Sequence, residues 1–138
     1  MSKMINSDVF NYVNVLDKAA DGAWMRNQAI AHNIANVDTP GYKRQDVSIE
    51  AELKHALKAS KYVSLDEKVD HLNQNGLSRI NPRTYSDYSG YSYRLDRNNV
   101  DIDTENVYMA ENQVTYNGLM QCIKSEFANL KAAMGSGS

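Results

Sequence analysis

The sequence predicts a mainly α fold: long N- and C-terminal helices paired like a coiled coil, a short third helix, and an irregular middle insert with room for a short β segment. Three observations carry this. Heptad-spaced apolar residues run along both ends of the chain, a Pro-Gly turn closes the first run, and a polar stretch rich in turn signals separates it from the second.

The first run is Val9, Val13, Leu16, Ala20, Ala23, Asn27, Ile30, Ile34 and Val37, in alternating steps of four and three. That is the a/d seam of a coiled coil and places a helix over 8–38. At ~1.5 Å per residue the seam spans about 43 Å. Its middle is thin, with Ala19, Ala20 and Ala23 around Gly22, so other helices approach it closely. Its few large aliphatics do not offset the entropy of ordering so long a helix, which is therefore expected to be stable when neighbours bury it on several sides. We read it as an assembly element. Asn27 is the polar member of the seam, either a register-setting contact or a tolerated surface position. Trp24, beside Ala23, is read as a subunit-interface anchor. Asn36 is placed near the C-cap and Pro40 forbids continuation. Thr39-Pro40-Gly41-Tyr42 carries Pro and Gly at the central positions of a type II turn.

The second run is Met109, Gln113, Tyr116, Met120, Ile123, Phe127, Leu130 and Met134, again in steps of four and three. It places a helix within 98–134, with Asp103 or Thr104 as N-cap and Glu105 favouring the helix dipole. Between the two, Asp46 or Ser48 caps a short helix that gathers Ile49, Leu53, Ala56 and Leu57 on one face. From Ser60 to Arg97 the chain is polar and irregular, with turns at Asn75-Gly76, Asn81-Pro82 and Ser89-Gly90. Tyr85, Tyr91 and Tyr93 share parity with Leu95, so a short strand fits there, and partial order is expected. The whole reads as one discontinuous domain over 1–138: 8–38 and 98–134 as its core, 39–97 as turn, short helix and variable insert.

The chain has 138 residues, room for one domain with a modest core. Lys and Arg total 15 against 17 Asp and Glu, a balance that argues against a nucleic-acid binder. The Lys43-Arg44 pair is read as an ordinary solvated turn. One cysteine, Cys122, excludes an intrachain disulfide and is read as a small apolar filler. No stretch approaches the ~20 apolar residues of a membrane span. Met1 to Asn11 lacks the pattern of a cleavable signal peptide, so any export is expected to proceed without one. Gly135 to Ser138 and Met1 to Lys3 are left out of the reading as ends of uncertain origin.

Candidate chemistry is sparse. Asp101-x-Asp103-x-Glu105 opens like a calcium loop, but Asn106 and Asn112 stand where such a loop needs Gly and Glu, so helix capping is the better reading. His32, His55 and His71 lack metal-ligand spacing, and His32 is read as an intersubunit polar contact. No glycine-rich phosphate loop occurs, and neither Cys122 nor any Ser has the setting of a nucleophile. We assign no catalytic residue, metal, cofactor or small-molecule substrate.

The run from Arg26 to Arg44 resembles the N-terminal signature of the flagellar rod and hook proteins: a helix ending in Asn33, Ile34, Ala35 and Asn36, then Thr39, Gly41, Tyr42 and Lys43. Asp38-Thr39-Pro40-Gly41-Tyr42 looks most like a B-type proximal-rod subunit of that family. Asn98-Asn-Val-Asp-Ile-Asp-Thr-Glu-Asn106, leading into Met109-Ala-Glu-Asn112, is similar to the family's C-terminal block. The resemblance implies an axial protein exported unfolded by the flagellar type III apparatus. It implies packing with itself, with other rod proteins and with proteins joining the rod to the membrane ring, its terminal helices lining the channel. A wall-cutting activity would suit that location, but no carboxylate pair suggests one. The residues expected at the assembly interface are Val13, Leu16, Ala20, Ala23, Trp24, Asn27, Ile30, Asn33 to Asn36, Thr39 to Tyr42, Met109, Tyr116, Met120, Ile123, Phe127 and Leu130. The rivals are a small helical-bundle adaptor or chaperone-like binding module, and another axial subunit.

Overall fold

The computed structural model describes residues 2–59, 64–88 and 94–135. Helix α1 (Ser2–Ala35) is followed by strand β1 (Gln45–Ser48), α2 (Glu50–Ala59), α3 (Leu65–Asn75), a 3-10 turn (Leu77–Arg79), strand β2 (Arg83–Ser86) and α4 (Ile102–Gly135). The predicted mainly α fold with long terminal helices is present, and the β segment is a two-stranded antiparallel sheet pairing Gln45 with Ser86 and Ser48 with Arg83.

α1 and α4 run antiparallel, since Asn33 meets Glu105 while Ala23, further back along α1, meets Asn112. The face of α1 read as its seam supplies buried Ala20, Ala23 and Ile30. A second face, offset by a residue or so, packs on the insert. There Val15 and Ala19 join a core of Ile49, Leu53, Leu72, Leu77 and Ile80, with Ala56 and Leu57 at its edge as the short-helix reading expected. Gly22 permits this packing: a Cβ on it would lie 3.3 Å from Ile49 Cβ and closer still to Cγ2. Side-chain amides tie the same face to α3, Asn11 to Asp70 and Asn14 to Asn73, each at 3.0 Å.

The insert is more ordered than its composition suggested. Ser64 caps α3 by accepting from the Glu67 backbone N–H, and Val69 and Leu72 turn its apolar face inward. Tyr91, Tyr93 and the Ser89-Gly90 turn lie outside the described residues; Tyr85, which is described, falls on β2. The N-cap of α4 is Asp101, whose Oδ1 accepts from the N–H of Asp103 at 3.0 Å, in place of Asp103 or Thr104. Half of the α4 seam is also displaced by one residue. The inward side runs Glu105, Met109, Asn112, Tyr116, Leu119, Ile123, Glu126 and Leu130, leaving Gln113, Phe127 and Met134 exposed and Met120 half-buried. The positions of α4 that are buried, Glu105 and Asn112, are polar, so a scan for apolar residues passes over them. Cys122 is exposed and fills no core. Side chains at Val9 and before it lie outside the described set.

Candidate functional site

Where α1 stops, the two blocks of the sequence signature come together. The helix closes with Asn36: its N–H bonds the His32 carbonyl at 3.1 Å and its side-chain amide bonds the same oxygen at 2.8 Å. Thr39 then donates its hydroxyl to Asn36 Oδ1 at 3.0 Å. The predicted type II turn follows, with the Tyr42 N–H on the Thr39 carbonyl at 3.2 Å and Gly41 at φ 75. Only glycine adopts that conformation without strain.

Asn98 holds this turn from the other block. It is fully buried, and its Nδ2 reaches the carbonyls of Asn36, Val37 and Thr39 at 2.8, 3.0 and 2.9 Å. These carbonyls lie just past the end of α1, and those of Asn36 and Thr39 also accept from the backbone N–H groups of Thr39 and Tyr42. Next to it, Asn99 accepts from the Arg44 N–H at 2.7 Å and donates to the Asp87 carbonyl at 2.7 Å, tying the entry of β1 to the exit of β2.

Asn33, also fully buried, is the hub between helices. Its Oδ1 accepts from the Gln45 N–H at 2.7 Å and from the Tyr42 hydroxyl at 3.0 Å, while its Nδ2 donates to Glu105 at 3.1 Å and to the Gln45 carbonyl at 2.8 Å. All four bonding positions of one amide are thereby used. Glu105, 1% exposed, takes Arg44 Nε at 2.7 Å on its other oxygen. Arg44 reaches Asp87 at 2.7 Å with Nη1 and lies over the Tyr108 ring at 5.1 Å. Arg26 grips Glu50 at the start of α2 and Asp46 on β1, and bonds the Val47 carbonyl at 2.6 Å. The Glu50 hydrogen bond raises the Arg26 pKa further above its ordinary value despite burial. Burial lowers that of Arg44, but the bonds to Glu105 and Asp87 more than reverse it. Burial and the Glu105 charge push the Tyr42 phenol up. The arrangement holds backbone and helices in place, with Arg26 and Arg44 each ion-paired to at least two carboxylates, which suits fastening.

The residues read as interface divide three ways. Ala20, Ala23, Ile30 and Asn33 are buried within the chain. Val13, Leu16, Asn27, Ile34, Asn36, Tyr42, Met109, Tyr116, Met120, Ile123 and Leu130 are half-buried. Trp24, Ala35, Thr39, Pro40, Gly41 and Phe127 are exposed. Trp24 keeps 54% of its surface open while its ring sits 6.3 Å from that of Tyr116. The reading missed Arg26, Arg44, Asn98, Asn99, Glu105 and Asn112 as participants. Arg44 is no solvated turn residue: its side chain is 13% exposed and ion-paired. The detectable signal was the polar pair Glu105 and Asn112, one heptad apart on a helix otherwise scanned for apolar residues. Among the described residues no His, Cys, Asp and Glu group is arranged to hold a metal ion. No described helix is long and apolar enough to cross a membrane.

Known proteins match this region and the chain around it. A family profile described as flagella basal body rod protein matches residues 26–43, the end of α1 and the turn. The chain is 34% identical over 126 residues to the flagellar basal body rod protein FlgB of Borrelia hermsii, covering 87% of each chain. It is 31% identical over 127 residues to FlgB of Bacillus subtilis, covering 88% of this chain and 92% of that relative. With FlgB of Escherichia coli it shares 29% identity over 124 residues, 82% of this chain and 85% of the relative.

Proposed function

Because the chain belongs to the FlgB family of flagellar basal body rod proteins, we propose that it is a self-assembling structural subunit of the proximal rod. One observation supports this most. Helix α4 has 34 residues, yet the only ones it buries are Glu105 and Asn112, both polar, among the described residues. Its apolar side chains are left half-covered or open: Val107 at 55%, Val114 at 73%, Phe127 at 47% and Met134 at 68% exposed. A helix with this much uncovered apolar surface calls for neighbours, and packed helices of adjacent subunits supply them. The small residues at the middle of α1 serve close approach within the chain, Ala19 and Gly22 against the insert and Ala23 against α4.

The chain is one discontinuous unit in this account: axial helices over 8–38 and 98–134, and a rod insert over 39–97 that decorates them. Its partners are further copies, other rod proteins and the adaptors joining rod to membrane ring. It reaches them through the flagellar type III export apparatus without a cleaved signal, and its terminal helices line the channel. The interface is built from the half-buried and exposed members of the two seams together with the turn Asn36 to Tyr42. Buried Ala20, Ala23, Ile30 and Asn33 support it from within.

Detergent-extracted basal bodies from the source cell provide the test. The chain is expected in the rod fraction, and changing the half-buried Ile34→Asp is expected to remove it together with the rod. Intact basal bodies lacking the chain would overturn the rod assignment and favour a helical adaptor.

A further inference from the structure

Asn112 has one polar atom that the fold leaves unanswered. The residue is 5% exposed, and its Nδ2 donates to the Ala23 carbonyl at 2.8 Å. That bond fixes the amide's orientation, because the reverse would set oxygen against oxygen. Its Oδ1 is buried and has no hydrogen-bond partner among the described residues, an arrangement rare enough in folded chains to need a reason.

Asn112 lines a cleft of about 240 Å³ between α1, β1 and α4, together with Arg26, Arg44, Asp46 and Tyr108. This is below the ~300–1,000 Å³ of small-molecule sites, and suits a single side chain. Its wall carries two cations, Arg26 and Arg44, and two anions, Asp46 and Glu111. Arg26 is answered by Asp46 and Glu50, and Arg44 by Asp87 and Glu105. Glu111, on the cleft wall and exposed, adds a further carboxylate and makes no side-chain hydrogen bond or ion pair among the described residues. The charge left uncommitted on the wall is therefore an anion, and the unanswered buried atom is an acceptor.

We propose that this cleft receives a lysine or arginine side chain from a neighbouring protein subunit, its N–H donating to Asn112 Oδ1 and its charge facing Glu111. Tyr108, Glu111 and Thr115, all exposed on α4, form the mouth by which it enters. The rod reading supplies only the identity of the neighbour; the preference for a cation belongs to the isolated chain.

The test titrates the isotope-labelled full chain with n-propylguanidinium chloride and with n-butylammonium chloride, following amide resonances. Sodium chloride at matched ionic strength and n-butanol are the controls. At least one cation is expected to shift the Asn112 side-chain amide and the Tyr108 and Thr115 backbone amides saturably, with a Kd in the millimolar range set by so small a probe. Glu111→Gln, an exposed change that leaves the other amide positions in place, is expected to weaken binding by about fivefold. No saturable shift with either cation, an equal response to n-butanol, or unchanged affinity in Glu111→Gln would each overturn the proposal. Because no assembly is involved, failure here leaves the basal-body result untouched, and a chain missing from basal bodies leaves the titration decisive for the cleft.

Discussion

Helices α1 and α4 have the same length, 34 residues each, and opposite economies of contact. α1 is wrapped: the insert covers one face through Gly22, Ala19 and Val15, α4 covers another, and Ala20, Ala23, Ala29 and Ile30 are buried. α4 is fastened near its start by Glu105 and Asn112 and then runs on with its apolar residues half-open. The difference teaches that paired heptads need not mean a paired apolar core. Here buried polar contacts fix the register of the two helices, as a single buried Asn does in coiled coils, and apolar surface is left for other chains.

The largest effect should come from the fastening. Glu105→Ala removes the acceptor of both Arg44 and Asn33, and breaking a buried pair from one side costs roughly 3–5 kcal/mol. Hydrogen exchange should show α4 losing protection before α1 does. Uniform loss along both helices would mean that they form one cooperative unit and would break the contrast.

Two helical glycines sharpen it. Gly22→Ala drives a methyl into Ile49 and should destabilise by about 1–3 kcal/mol through overpacking. Gly118→Ala meets nothing within 4 Å and should stabilise by about 0.5–1 kcal/mol from helix propensity. Thermal melts of the two variants should move in opposite directions; a shared sign would show that α1 is less tightly wrapped than described. A smaller effect on the free chain is expected from Trp24→Ala, since the ring is more than half open. It should weaken rod assembly while leaving the melting curve nearly in place. A comparable loss of stability in the free chain would assign Trp24 to the internal core.

The smallest effect is that of pH on the wrapped side. Burial would raise the Glu50 pKa, but its hydrogen bond to Arg26 outweighs this and holds it below the ordinary carboxylate value. A depressed folded value means stability that is present above the unfolded pKa and is lost as pH falls through the folded one. Because the Glu50 side chain is 58% exposed, the contribution is about 0.5 kcal/mol or less after screening. Glu50→Gln should melt slightly lower than the parent at neutral pH and match it in acid.

What could be read in advance was local. The heptad steps placed α1 and α4, and Pro40 with Gly41 placed the turn, because periodicity and turn chemistry act over a few residues. Ile49, Leu53, Ala56 and Leu57 placed α2 for the same reason. α3 was legible too, in Ser64 three residues before Glu67 and in Leu65, Val69 and Leu72, but the polar composition around it hid the pattern. The junction was out of reach. Asn98 and the turn it holds are some sixty residues apart in sequence, and nothing in either segment states which carbonyls a buried amide will meet. The displaced half of the α4 seam has the same origin: a search for apolar repeats passes over Glu105 and Asn112, whose burial depends on partners elsewhere.

The central claim is that α4 is open in the single chain and enclosed by neighbours in the rod. Cys122, the one cysteine and exposed on that helix, reports it without mutation. We would compare the rate of maleimide labelling at Cys122 in the isolated chain and in purified basal bodies that contain it. The account predicts rapid labelling of the free chain and strong protection in the rod. Equal rates in both would contradict it and leave the apolar residues of α4 without the partners proposed for them.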